Sequence, residues 1–214
     1  MRILVFGDSV TQGFHDTERG GWCSRLINFV MQREIASGYS YNKSIFNLGV
    51  AGDTTEDLCK RIKSEAEARL CKYATDDHDV LLLAIGINDS YFEMTTRKNQ
   101  ISVETMVENL GKMITDTREY FEEVAIIGIA PVVDERVQPV AWDVTHGYSN
   151  VEIAKYNKAL ETFAAQYGFK FIDLNGVYGD AVGDCLPDGV HPNADGHGYI
   201  YNRVKSFLEA KTIL

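Results

Sequence analysis

Residues 2–13 read RILVFGDSVTQG, an apolar run, Ile3-Leu4-Val5-Phe6, that meets Gly7-Asp8-Ser9 without a spacer. An apolar run of that length, closed by turn formers, suits a strand buried on both faces, as parallel sheets require. Four further runs of the same kind follow, at residues 44–48, 80–85, 124–129 and 169–174. Helical spacing fills the intervals: Trp22, Leu26, Phe29 and Val30, then Met106, Leu110, Met113 and Ile114, then Ile153, Tyr156, Leu160, Phe163, Ala164 and Tyr167. A last stripe of Ile200, Val204, Phe207 and Leu208 predicts a helix over 194–210. Asp53 and Ser149 each precede a Glu by three residues, the spacing of a capping box at a helix start.

Strands that alternate with helices, joined by right-handed crossovers, build a parallel sheet covered on both faces. The expectation is an α/β fold, a three-layer α/β/α sandwich with a five-stranded parallel sheet in the flavodoxin-like order 2-1-3-4-5. A chain of 214 residues with 45% hydrophobic content suits one such domain over its whole length. The formal net charge of -10 argues against nucleic acid and anionic surfaces as partners. No stretch approaches the 18 apolar residues of a membrane span, so no membrane insertion is expected. The N-terminus enters a strand without a separate basic and apolar leader, which predicts a cytoplasmic location. Cys23, Cys59, Cys71 and Cys185 include no C-x-x-C spacing and read as reduced packing residues.

In open parallel sheets ligands bind beyond the carboxyl ends of the strands. Those ends carry Gly7-Asp8-Ser9, Gly49-Val50-Ala51-Gly52-Asp53 and Gly86-Ile87-Asn88-Asp89, with Asp188-Gly189-Val190-His191 after the fifth strand. An Asp three residues before a His can turn its carboxylate onto the ring Nδ1 and leave Nε2 free to accept a proton. Acyl transfer needs a serine beside such a base, together with donors around the oxyanion that the attack creates. Ser9, His191 and Asp188 fill the first set of roles. The Ser9 N–H, the Gly52 N–H and the Asn88 side-chain amide fill the second. Gly49 competes with Gly52, which is preferred because it precedes a helix start where N–H groups are unpaired. Asp8 and Asp89 read as backbone braces.

"GDS" near the N-terminus, "NLGVAGDTT" about forty residues on, "GIND" after an apolar strand and "DGVHPNADGH" near the end together resemble the four blocks of the SGNH hydrolases, the GDSL esterase/lipase superfamily. The resemblance spans Phe6 to His197 and places the family's nucleophile on Ser9, its donors on Gly52 and Asn88, and its Asp-x-x-His pair on Asp188 and His191. It implies hydrolysis of carboxylic esters through an acyl-serine, with no cofactor and no metal. The expected substrate is a small-molecule ester with a short acyl group. A thioesterase or acyltransferase using the same site is the alternative, and a non-catalytic ligand-binding module is the more distant one. Asp188, His191, Asp195 and His197 crowd within ten residues but match no zinc spacing. His15, His78 and His146 read as isolated and exposed, with His15 and His146 in segments that border the site. Residues 14–22, 91–98 and the long connection 130–148 are expected to wall the pocket, with Trp142 and Tyr148 as candidates for an apolar slot or a surface that stacks on a sugar. An oligomer is compatible with all of this.

Overall fold

The computed structural model describes residues 1–70 and 78–214; Cys71 therefore lies outside the described residues. Seven strands occur among them: β1 (Arg2–Gly7), β2 (Ser44–Gly49), β3 (Val80–Ala84), β4 (Phe92–Glu93), β5 (Glu123–Ile127), β6 (His146–Gly147) and β7 (Lys170–Ile172). Five of these form one sheet in the order β2-β1-β3-β5-β7, and every pairing in it is parallel. That is the flavodoxin-like 2-1-3-4-5 order, because β5 and β7 are the fourth and fifth strands of the sheet. β4 and β6 instead pair antiparallel above it.

Side chains alternate across the strands and divide the core into two layers. Leu4, Phe6, Leu81, Leu83 and Ile126 pack with α3 (Thr55–Leu70), α4 (Val103–Thr117) and α5 (Asn150–Tyr167). Ile3, Val5, Val80, Leu82, Ala125 and Ile127 face α2 (Gly21–Ala36) and α7 (Ala194–Ala210). A one-residue slip would exchange the faces, so burial on both sides fixes the register. The helical stripes meet the sheet as the spacing predicts, except that Tyr167 is exposed near the end of α5 and caps a ring cluster with Phe163 and Phe169.

The expected cap at Ser149 forms, its hydroxyl accepting from the Glu152 N–H. The box expected at Asp53 and Glu56 sits one residue later. The Thr54 hydroxyl accepts from the Asp57 N–H and the Asp57 carboxylate accepts from the Thr54 N–H. Asp53 is thereby released to bind Arg61 at 2.7 Å. The same guanidinium donates to the carbonyls of Leu48 and Gly7, at 2.9 and 3.2 Å, and so ties the ends of β1 and β2 together where the site lies. The described cysteines, Cys23, Cys59 and Cys185, are free thiols. No helix among the described residues is long and apolar enough to cross a membrane.

Gly49 is a close-approach residue: a Cβ there would stand 2.2 Å from the Gln12 nitrogen and 2.8 Å from the Asp8 carbonyl oxygen, both backbone atoms. Gly111, in α4, has nothing within 4 Å of its added Cβ. In thermal unfolding, Gly49→Ala is expected to destabilise by about 1–3 kcal/mol through overpacking. Gly111→Ala should stabilise by about 0.5–1 kcal/mol through helix propensity. A Gly49→Ala protein as stable as the wild type would refute the packing of the first loop on the second.

Candidate active site

Ser9 is the first residue of α1 (Ser9–Gln12), a single turn capped by the Asp8 carboxylate, which accepts from the Val10 N–H. The short strand-to-helix turn lifts the Ser9 hydroxyl to the sheet's carboxyl edge. His191 arrives there from the segment between α6 (Val182–Cys185) and α7, with its Nε2 3.0 Å from Ser9 Oγ. Asp188 aims it. One carboxylate oxygen accepts the N–H groups of Val190 and His191 at 2.9 and 2.7 Å, and the other lies 2.7 Å from His191 Nδ1. With Nδ1–H donated to the carboxylate, Nε2 is left as the acceptor for the serine hydroxyl. Burial would raise the Asp188 carboxyl, but hydrogen bonds from the His191 ring and from the His191 and Val190 N–H groups outweigh it and hold it at about 2. The carboxylate is therefore ionised wherever an imidazole can act as a base.

Gly52 lies exposed at φ +86, in the left-handed region, and its N–H has no acceptor among the described residues. The N–H of its rival Gly49 is taken by Asn47 Oδ1 at 3.0 Å. Asn88 sits within the tight turn after β3 and is held at both ends of its amide. Its Nδ2 donates to the Asp53 carbonyl at 2.9 Å, and its Oδ1 accepts from the Tyr148 hydroxyl at 3.1 Å. One N–H of the amide remains free. Asp89 braces α3, accepting from the Thr55 N–H at 3.0 Å and from the Thr55 hydroxyl. Burial pushes the Asp89 carboxyl up to about 6 despite those bonds.

The sequence profile of the GDSL-like Lipase/Acylhydrolase family matches residues 5–199. The chain belongs to that family. A lipase/acylhydrolase from Enterococcus faecalis is similar in structure, at 25% identity and TM-score 0.70, over 98% of this chain and 96% of that one. An acetylxylan esterase from Geobacillus stearothermophilus shares the fold at 17% identity and TM-score 0.66, over 97% and 92% of the two chains. A multidomain esterase of Ruminococcus flavefaciens is 26% identical over 240 residues, covering 98% of this chain and 29% of that protein. A Bacillus subtilis lipoprotein, YqeF, described as uncharacterized, is 26% identical over 133 residues, 62% of this chain and 49% of its own length. This chain thus spans less than a third and about half of those two relatives.

His15 borders the site, in the segment where it was expected, and His197 does not join it. His197 is buried in α7, with Nδ1 accepting from the Trp22 N–H and Nε2 bonded to the Phe14 carbonyl, and Asp195 is exposed. His15 is the one that joins the site, its Nδ1 3.5 Å from the Asp188 carboxylate. A ligand atom from each of His15, Asp188 and His191 lies within 4.8 Å of the others. Aromatic rings flank His191, with Phe14 at 5.0 Å, His15 at 5.0 Å and the exposed Trp142 at 5.8 Å between centroids. The connection 130–148 is ordered by β6 on β4 and by the Tyr91 ring, which stacks on His146 at 4.9 Å and touches Tyr148 at 4.8 Å. Tyr148 is buried and serves Asn88, where the sequence offered it as a pocket wall. No spacing in the sequence could pair it with a residue 60 positions away.

Asp8 is buried, and burial pushes its carboxyl up to about 7; the Val10 N–H opposes this only in part. An acid whose folded pKa exceeds its unfolded value binds more protons when folded, so it costs stability as pH rises through the interval between the two values. For Asp8 that interval runs from 3.8 to about 7. Asp8→Asn keeps the oxygen that caps α1 and removes the charge. Its melting temperature should equal the wild type's near the lower limit and exceed it by about 10 °C above the upper one. A difference that does not change with pH would contradict a buried, neutral Asp8.

Proposed function

We propose that residues 1–214 form one catalytic unit that hydrolyses carboxylic esters of small acyl groups through an acyl-serine on Ser9. The single observation that carries this reading is the unbroken line from the Asp188 carboxylate through His191 to Ser9 Oγ, with hydrogen-bond distances of 2.7 and 3.0 Å. As Oγ bonds to the ester carbon, its proton passes to His191 Nε2 and the carbonyl electrons move onto oxygen. The N–H groups of Ser9, Gly52 and Asn88 receive that oxyanion. When the carbon–oxygen bond to the alcohol breaks, the His191 proton goes to the departing oxygen. Water then enters by the same route and releases the acid.

One feature supports the substrate class. On the alcohol side, the exposed Phe14 and Trp142 flank His191 and offer flat apolar faces on which a sugar ring can stack. Acetylated sugars are the substrates we favour, in keeping with the acetylxylan esterase that shares the fold. The net charge of -10 disfavours anionic acyl carriers and so the thioesterase alternative.

Nitrophenyl esters of increasing chain length, beside acetylated xylo-oligosaccharides, test the reading. Acetyl compounds should be turned over fastest, and Ser9→Ala should lose at least about 1000-fold in kcat while remaining folded. Retained turnover in that variant removes Ser9 from the mechanism.

The held amide makes a second prediction. Asn88→Ala should lower kcat by about 100- to 1000-fold. Tyr148→Phe, which frees the amide to rotate, should lower kcat by about 10-fold with little change in KM. Because both act on one hydrogen bond, the double variant should match Asn88→Ala alone. Additive losses would show that Tyr148 acts elsewhere.

A further inference from the structure

We propose that His15, Asp188 and His191 form an inhibitory site for zinc, through which the metal switches the enzyme off; the inhibition rests on His191 being the base, whereas the binding does not. Two imidazoles and a carboxylate are donors that zinc prefers, with the fourth position left to water. Mg²⁺ and Ca²⁺ select oxygen ligands and do not suit this set. Tetrahedral zinc bonded at about 2.0–2.1 Å holds its donor atoms about 3.3 Å apart. His15 Nδ1 and Asp188 Oδ2 already stand at 3.5 Å, and the contact of 2.7 Å between Oδ2 and His191 Nδ1 must open slightly.

The loop that carries His15 is built to present it. His15 occupies the left-handed region at φ +68, and its ring stacks on Phe14 at 4.6 Å. The Phe14 carbonyl is bonded to the buried His197. One residue on, the Asp16 carboxylate gathers the N–H groups of Glu18, Arg19 and Gly21 and the Arg25 guanidinium. The His15 side chain is 41% exposed, so an ion reaches it from solvent.

Binding changes which nitrogen of His191 carries the proton. In the resting site Nδ1–H faces Asp188 and Nε2 carries the lone pair. Zinc accepts the Nδ1 lone pair, the Asp188 oxygen and His15 Nδ1, and the displaced proton moves through solvent to Nε2. The ring stays neutral, but Nε2 becomes a donor and can no longer take the Ser9 proton. The ion thus removes the base without displacing it.

Zinc binding by the chelator-treated protein, read by competition with a chromophoric chelator, tests the site in the wild type, His15→Gln and Ser9→Ala. One equivalent should bind to the wild type and Ser9→Ala alike, and at least about 30-fold more weakly to His15→Gln. In parallel, micromolar zinc should suppress ester hydrolysis by the wild type, EDTA should restore it, excess Mg²⁺ should leave it intact, and the turnover of His15→Gln, taken relative to its own metal-free rate, should resist zinc. Equal binding to His15→Gln and the wild type would overturn the site. Binding that depends on His15 and leaves hydrolysis untouched would overturn the inhibition. If the wild type hydrolyses no ester, the esterase reading has failed, and zinc binding by the wild type against His15→Gln still decides whether the metal site exists.

Discussion

The Asp188 carboxylate is the point on which the site's geometry depends. It stands at the mouth of a turn, receives two backbone N–H groups on one oxygen and the His191 ring on the other, and so sets both the direction and the tautomer of the imidazole. Hydrogen bonds to the charged form keep it ionised although it is partly buried. Without that acceptor, nothing would choose between the two nitrogens of His191, and the contact with Ser9 across 182 residues would lose its meaning as a path for a proton. The same oxygen faces His15, so the carboxylate that orients His191 is also the one that the proposed metal site would share.

The other half of the site is organised from the sheet outward. Parallel pairing brings Gly7 beside Gly49, so the first and second loops leave the same edge. Arg61 then bonds the carbonyls of both strand ends and the Asp53 carboxylate. Through the Asp53 carbonyl the second loop reaches the Asn88 amide, and through Tyr148 that amide reaches the connection above the sheet. The connection 130–148 and the proposed oxyanion donors are therefore mechanically joined. In the proposed mechanism, changes in that connection alter the chemical step through Tyr148 without touching the ester.

The parts legible in the sequence are those with a period or a local turn. The five sheet strands could be read because each is a short run rich in apolar residues, with the central β1 and β3 buried almost throughout, and the helices because their stripes repeat at helical spacing. Ser9, Gly52, Asn88 and the Asp188–His191 pair could be picked out as candidates because each sits next to a strand end or within a short turn. β4 and β6 have two residues apiece, too few to show alternation. The box shifted from Asp53 to Thr54 because Arg61, eight residues on, claims the Asp53 side chain, a tertiary preference that no local spacing reports. His15 was expected to border the site and Tyr148 to wall it, but their partners escaped for the same reason. One pairs with a residue 173 positions away and the other with one 60 positions away, and neither carries a motif of its own.

The central claim is that Ser9 is an activated nucleophile. Its most direct test is covalent capture by a short-chain nitrophenyl alkylphosphonate, which mimics the tetrahedral state, followed by peptide mass mapping. The account predicts one adduct per chain, on Ser9, with release of one equivalent of nitrophenol, and no capture once His191 is replaced by Gln. An adduct on another residue, or an unmodified Ser9 in protein whose esterase activity the reagent has abolished, would contradict it.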